Sequence, residues 1–232
     1  MFLVNSEAAI CPNCGSIARD RYLFFCFISR TLRDRYNVLE TSPRLGYEYR
    51  LAMRGWFEYL ASDFDERSHR ADIRLDLQNI ELEKGSIDVL LTPHVLEHVP
   101  YTDKALAEIH QLLCPRGRMY LQVPVLQGKT ARPTQPEFHG DDTPVEWRFG
   151  PDLTDRLREQ GFRVRLLCTQ ELYRHVAAHA GPWPVPTSRE FDVDAIVESL
   201  RLADLEPVAD DDIARKMGFC PSYMFLTWEA LK

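Results

Sequence analysis

The chain has 232 residues, 45% of them hydrophobic and 11% aromatic, which is enough apolar mass for one large α/β domain and too much for wholesale disorder. A net charge of −7, from 28 basic and 35 acidic side chains, argues against a general binder of nucleic acid or of anionic membrane. No apolar run nears the roughly 18 residues that span a bilayer, and no basic segment followed by a long apolar stretch marks an export signal, so a cytoplasmic protein with no membrane partner is expected. The cysteines are Cys11, Cys14, Cys26, Cys114, Cys168 and Cys220. Four of them stand alone in apolar or mixed surroundings, as free thiols of a reducing compartment do.

Residues 1–15 read as a short leader, and with the first helix they make up a unit of residues 1–36. Ser16 is placed to cap a helix from Ile17 to about Tyr36, with Leu23, Phe24, Phe27, Ile28 and Leu32 as its apolar stripe. Val38–Thr41 reads as the first strand, with Pro43 and Gly46 punctuating its exit loop. A helix over Tyr47–Arg54, a strand over Phe57–Ser62 and a short strand or turn over Ile73–Leu77 follow. Ile87–Thr92 is an apolar strand that runs into a turn, after which a helix is expected to open carrying His94, Glu97 and His98. Thr102 or Asp103 to Leu113 is an amphipathic helix, broken by Pro115-Arg116-Gly117 before a strand over Met119–Val123. Residues 124–150 form a long loop of the kind that is usually functional or mobile. Pro151–Gln160 reads as a helix stopped by Gly161, and Phe162–Cys168 as a strand. Residues 173–218, with Pro182, Pro184 and Pro186 and a helix near Val193–Leu205, read as a lid-like insertion in the main unit, residues 37–232. Tyr223–Trp228 is the last expected strand.

Strand and helix alternate through residue 123, which calls for a mostly parallel sheet with right-handed crossovers. Three early strands end in polar or acidic residues, at Glu40, Asp63 and Thr92. An open α/β sheet binds its ligand outside the carboxyl ends of its strands.

These pieces resemble the class I S-adenosylmethionine-dependent methyltransferases, in the branch with a Cys-Pro-x-Cys-Gly-Ser leader. The matching segments are Cys11-Pro12-Asn13-Cys14-Gly15-Ser16 with Arg19 and Arg21, Val38-Leu39-Glu40, Asp63 and Asp76-Leu77. They continue with His94-Val95-Leu96-Glu97-His98-Val99, Leu112-Leu113-Cys114-Pro115-Arg116-Gly117, and Trp147-Arg148-Phe149-Gly150 followed by Gly161-Phe162. The likeness covers roughly residues 11–170. It implies a Rossmann-like, doubly wound, mostly parallel seven-stranded sheet with an antiparallel last strand, and S-adenosylmethionine as cofactor.

By the same resemblance, Asp63 accepts the ribose hydroxyls of the cofactor, since an ionised carboxylate can take two O–H bonds. Asp76 and the Leu77 backbone meet the adenine. Glu40, Thr41 and Ser42 line the site of the methionine part, and Pro93 and His94 pass beneath the sulfonium. One departure stands out. The family's glycine-rich first loop reads Glu40-Thr41-Ser42-Pro43-Arg44-Leu45-Gly46 here, and Pro43 removes a backbone donor.

His94 and His139 are the candidate catalytic residues, since an imidazole can take a proton from an acceptor hydroxyl or amine near neutral pH. Glu97 and His98 share a face with His94, and a role in capping or hydrogen bonding is the plainer reading for both. No metal is expected there. Cys11 and Cys14 have zinc-knuckle spacing, but a closed site needs four ligands, so a relic turn before the first helix is the plainer reading. The expectation is methyl transfer to oxygen or nitrogen of a small polar metabolite, with no nucleic-acid partner and a homodimer as one possible assembly. A non-catalytic binding or scaffolding protein of the same fold is the alternative. A nicotinamide-dependent oxidoreductase fits less well, because the glycine fingerprint is missing.

Overall fold

The computed structural model describes residues 10–30, 35–65, 71–139, 142–183, 191–219 and 226–232. Eight strands form one sheet: β1 (Asn37–Thr41), β2 (Glu58–Asp63), β3 (Ile73–Arg74), β4 (Ile87–Pro93), β5 (Leu113–Gln122), β6 (Arg163–Thr169), β7 (Leu205–Ala209) and β8 (Thr227–Leu231). Their order is β3-β2-β1-β4-β5-β8-β6-β7, and only β8, the last in the chain, runs antiparallel to its neighbours. The sheet is thus α/β and mostly parallel as the sequence implies, with one strand more than the seven expected. The extra strand is β7, which pairs in parallel with β6 from inside the segment 173–218.

The helices are α1 (Ala18–Ser29), α2 (Tyr47–Trp56), α3 (Thr102–Leu112), α4 (Leu153–Glu159), α5 (Gln170–Ala178), α6 (Val193–Ser199) and α7 (Asp211–Met217). Successive strand residues face opposite sides, and both sides are apolar. Val38, Val89, Leu91 and Tyr120 join Tyr22, Phe27 and Phe219 in one core. Leu39, Leu90 and Leu121 join Leu106, Ile109, Leu157 and Trp228 in the other. The indole N–H of Trp228, fully buried, donates to Thr154 Oγ1 at 2.9 Å, which satisfies the one polar atom that so large a buried ring brings with it.

α1 belongs to the first core, with Ala18, Tyr22, Cys26 and Phe27 buried. It begins and ends differently from expectation. The backbone N–H of Ile17 donates to Asp20 Oδ2 at 2.9 Å, so Asp20 closes the helix start. Ser16 instead lies 3.1 Å from the Cys14 thiol and receives a bond from Arg21. The helix stops at Ser29, and Arg35 and Tyr36 are not helical; Tyr36 accepts the N–H of Glu58 at 3.0 Å and so already leads into the sheet. Arg21 pins α1 to α7 by donating to the Met217 carbonyl at 2.7 Å. Half of the expected strand Tyr223–Trp228 lies outside the described residues, and β8 is seen from Thr227. Among the described residues no helix is long and apolar enough to cross a membrane.

A charged knot crosses the sheet. Glu229 of β8, only 4% exposed, receives Arg30 through Nε at 2.9 Å and Nη2 at 2.9 Å, Arg118 at 2.9 Å and the Tyr120 hydroxyl at 3.1 Å. Buried charge of this kind is stable only while every member is paired. Glu229→Ala is therefore expected to lower the unfolding free energy by roughly 3 kcal/mol, since it leaves Arg118 without a carboxylate and Arg30 with Glu206 alone. Urea denaturation of the two proteins measures this, and a loss below about 1 kcal/mol, the value of an exposed ion pair, would show the knot to be solvent-screened.

Candidate active site

From β1 the chain winds outward to β2 and β3, then returns to place β4 on the other side of β1. The carboxyl ends of β1 and β4 therefore flank the point where the winding reverses, which is where open α/β sheets leave a crevice. The register pairs Glu40 with Leu91, so Thr41 and Thr92 follow one step further along their strands. Both threonine hydroxyls are buried, and neither has a hydrogen-bond partner. Two orphaned buried hydroxyls on adjacent strand ends are rare in a finished core. They are the groups a ligand lodged at this crevice would satisfy.

The expected site residues gather around this point. Ser42 takes a left-handed backbone, φ +47°, and its N–H donates to Ser62 O at 2.7 Å. A glycine would adopt that conformation without strain, and here a residue with a short side chain takes it. Asp63 ends β2 and is only 7% exposed. Its carboxylate accepts the N–H of Asp65 at 3.0 Å, and its carbonyl accepts the N–H of Leu75 at 2.8 Å. That second bond draws the segment carrying Asp76 and Leu77 against the end of β2. Asp76 Oδ1 is occupied in its own turn, receiving Gln78 N at 2.8 Å and Gln78 Nε2 at 3.3 Å, and the Leu77 side chain lies in the core.

Glu40 behaves differently from a simple lining residue. Its Oε2 receives the Tyr59 hydroxyl at 2.7 Å and the Tyr49 hydroxyl at 3.0 Å. Burial pushes its carboxyl up to about 7, and the two tyrosine hydroxyls oppose that shift. The carboxylate is thus committed to the protein's own side chains. The leader adjoins the same loop, since Arg44 pairs with Asp20 of α1 and reaches the Gly15 carbonyl at 3.4 Å. In the leader itself, Gly15 N donates to Cys11 O at 2.9 Å, and backbone N–H groups of Cys14 and Asn13 hold the Cys11 thiol below its usual range.

Pro93 ends β4 and His94 follows it. His94 has φ +52°, and its N–H donates to Gln122 O at 2.8 Å. The expected helix start is instead a single 3₁₀ turn, Leu96–His98, and α3 begins only at Thr102. The turn is short because the Glu97 carbonyl is taken by the N–H groups of Glu146, at 2.8 Å, and Trp147, at 3.1 Å, from the long loop. His94 Nδ1 and His98 Nε2 nevertheless both approach Glu97 Oε1, at 3.6 and 3.9 Å.

The loop 124–150 is held by bridges Val125 to Phe149, Ala131 to Arg148 and Phe138 to Pro144. His98 Nδ1 lies 2.7 Å from Pro144 O, and the ring of His139 stands edge-on to His98 with centroids 4.7 Å apart. The candidate His139 is thereby brought against His98, which shares Glu97 with the other candidate, His94. Beside it, a cleft of about 350 Å³ is lined by Arg132, Glu137, Phe138, Pro144 and Glu146. α6 backs the loop: Asp192 N donates to Leu126 O at 2.9 Å. A Cβ on Gly128 would stand 2.6 Å from the Ala195 carbonyl.

Sequence reasoning marked Thr92 only as a polar strand end and missed Gln122, Tyr49 and Tyr59. Gln122 donates to Thr227 Oγ1 at 2.9 Å while its own Oε1 is buried without a partner among the described residues. Gln122 could have been marked as a polar residue ending an apolar strand. No spacing links the two tyrosines to Glu40.

A family model described as a methyltransferase domain matches residues 17–167. An uncharacterised 37.1 kDa protein of a Streptomyces fradiae transposon is 29% identical over 154 residues, covering 66% of this chain and only 40% of that relative's length. Among solved structures, the fold is similar to a didemethyltoxoflavin N-methyltransferase of Burkholderia thailandensis crystallised with its substrate and S-adenosylhomocysteine (15% identity, 93% of this chain and 78% of that one, TM-score 0.50). It is also similar to an S-adenosylmethionine-dependent methyltransferase of Mesorhizobium loti (14% identity, 94% and 99%, TM-score 0.51). A third likeness is to the YcgJ protein of Bacillus subtilis (11% identity, 92% and 98%, TM-score 0.53).

The raised Glu40 carboxyl has a consequence for stability. A group that ionises near 7 when folded and near 4.5 when unfolded stabilises the fold fully below pH 4.5, and that contribution is lost as pH rises through 7. Between those limits the loss amounts to roughly 3 kcal/mol. Glu40→Gln is expected to flatten the fall in thermal midpoint between about pH 5 and 8; an identical pH profile in the variant would count against the buried, tyrosine-held carboxyl.

Proposed function

The chain belongs to the methyltransferase-domain family, and from that membership we propose that it transfers a methyl group from S-adenosylmethionine to oxygen or nitrogen of a small polar metabolite. The observation that carries this reading is the buried Asp63 at the end of β2, beside a strand crossing-point whose two threonine hydroxyls lack partners. A ribose diol suits the carboxylate, and the polar atoms of a bound nucleoside suit the hydroxyls.

In this reading Asp63 holds the ribose and Asp76 with the Leu77 backbone meets the adenine. Thr41, Ser42 and the loop after Glu40 hold the methionine part, and Pro93 and His94 lie beneath the reacting group. When bound, the cofactor supplies a methyl group on a positively charged sulfur, already joined to a good leaving group. The remaining task of these residues is to align the acceptor and exclude water. His94 and His139 are the side chains that take the acceptor's proton. The cleft by Arg132 and Glu146 is the acceptor side, and its size suits a small molecule better than a macromolecule. We keep the cysteine-leader branch as part of the proposal, since the Cys11–Ser16 turn adjoins the loop after Glu40 through Arg44.

One observation favours the non-catalytic alternative. Glu40 is held by Tyr49 and Tyr59 and has less to offer a cofactor than a free carboxylate would. Calorimetric titration separates the readings. S-adenosylmethionine and S-adenosylhomocysteine are expected to bind, and Asp63→Ala to weaken both by roughly ten- to a hundredfold, the value of one or two charge-assisted hydrogen bonds. Equal affinity in the variant, or no binding to the unaltered protein, would overturn the assignment.

A further inference from the structure

Glu97 carries the polar group that the fold accounts for least. It is 1% exposed, and neither carboxylate oxygen has a hydrogen-bond partner. An ionised carboxylate taken out of water is costly unless a proton donor or a cation lies against it. Among the described residues no group of three His, Cys, Asp or Glu side chains is arranged to hold a metal ion. That leaves N–H donors as the partners at hand. Two imidazoles approach the same oxygen, His94 through Nδ1 at 3.6 Å and His98 through Nε2 at 3.9 Å. Both gaps are longer than a hydrogen bond, and the His94 ring must turn for its Nδ1–H to reach the carboxylate.

The backbone fixes both rings from outside. His98 Nδ1 lies 2.7 Å from the Pro144 carbonyl, which can only accept, so Nδ1 carries the hydrogen; the Nε2 turned toward Glu97 then bears a lone pair and cannot donate to it, which leaves His94 Nδ1 as the donor within reach. His94 is set by its left-handed backbone and by its N–H bond to Gln122 O, and its side chain is 18% exposed at the end of β4. The charged and titratable groups brought to this cluster by the long loop are His139, edge-on to His98, and Glu146, paired with Arg132 at 2.7 Å; β5 contributes the neutral Gln122.

We propose that Glu97 is a positioning residue, whose carboxylate keeps a hydrogen on Nδ1 of His94 and so leaves the Nε2 lone pair free to accept a proton. This rests on the reading of His94 as the base toward the methyl acceptor. In that step the bond from the acceptor's oxygen or nitrogen to its hydrogen breaks, and its electron pair stays on the acceptor. The new N–H forms at Nε2, and the positive ring that results faces the Glu97 carboxylate. His98, pinned by Pro144, flanks the carboxylate from its other neighbour. Buried carboxylates select an imidazole tautomer in this way because only one nitrogen can face them.

The test is nitrogen NMR of the full chain labelled at histidine, without any ligand, which reads which ring nitrogen carries the hydrogen. His94 is expected to hold it on Nδ1, and Glu97→Leu to lower the ratio of that form to the Nε2–H form by at least roughly tenfold. In turnover, the same variant is expected to lower kcat by roughly tenfold or more while leaving KM for the methyl donor within about twofold. Should Glu97→Leu not fold, Glu97→Gln keeps the volume and one acceptor oxygen, and a roughly threefold change in the same ratio is expected. An unchanged ratio in a folded variant overturns the inference. So does a zinc or manganese titration that raises the thermal midpoint of the unaltered protein and not of the variant, since that assigns Glu97 to a cation. Failure to bind S-adenosylmethionine removes the proposed function but leaves the tautomer reading standing, so the two failures are distinguishable.

Discussion

The constraint on which the rest depends is the reversal of winding at β1. A sheet that grows outward on both sides of its first strand cannot cover the carboxyl ends of β1 and β4 with its own crossovers, since those diverge to opposite sides. The residues that end the strands are then buried at the rim of a crevice. Thr41, Thr92 and Asp63 all sit there, and the two threonine hydroxyls have no hydrogen-bond partner among the described residues. Such atoms are destabilising in the unliganded fold, and the physical sense of keeping them is that a ligand completes them.

The rest of the chain is arranged to hold that rim. The two apolar faces of the sheet are each covered, one by α1, α2 and α7 and the other by α3, α4 and the segment around α6. α1 does more than cover, since Asp20 both closes the helix start and pairs with Arg44 of the loop after β1. The leader and the loop after β1 are mechanically joined through Arg44, which pairs with Asp20 and reaches the Gly15 carbonyl. On the far side, the Glu97 carbonyl and the Pro144 carbonyl stitch the turn after β4 to the long loop, which brings His139 to His98. Two regions of unrelated sequence thus meet at one end of the sheet.

Much of this was legible from residues alone. Alternating apolar runs and amphipathic helices located β1, β2, β4 and α3 within a residue or two, because burial on both faces leaves a strong period, whereas β5 ends near the expected place but begins at Leu113 and runs through Pro115-Arg116-Gly117, which read as a break before Met119. β7 was not legible: Leu205-Glu206-Pro207-Val208-Ala209 is short, carries a proline, and lies at the edge of the sheet, where such residues are tolerated and the apolar signal is weak. The end of α1 was misplaced because the apolar stripe continues past the point where Arg30 turns away to bond Glu229. The turn at His94–His98 was read as a helix since three-and-four spacing suits both. What shortens it is a contact with residues nearly fifty positions later, which no local pattern encodes. The acids at strand ends were visible, but the tyrosine pair on Glu40 was not.

The account stands or falls on where a nucleoside lodges. The most direct measurement is a crystal structure of the protein with S-adenosylhomocysteine. The account predicts density across the carboxyl ends of β1 and β4, with the ribose hydroxyls on Asp63 and ligand polar atoms against Thr41 and Thr92. Density at any other surface, or a crevice still closed with both threonine hydroxyls unpartnered in the presence of saturating ligand, would contradict it.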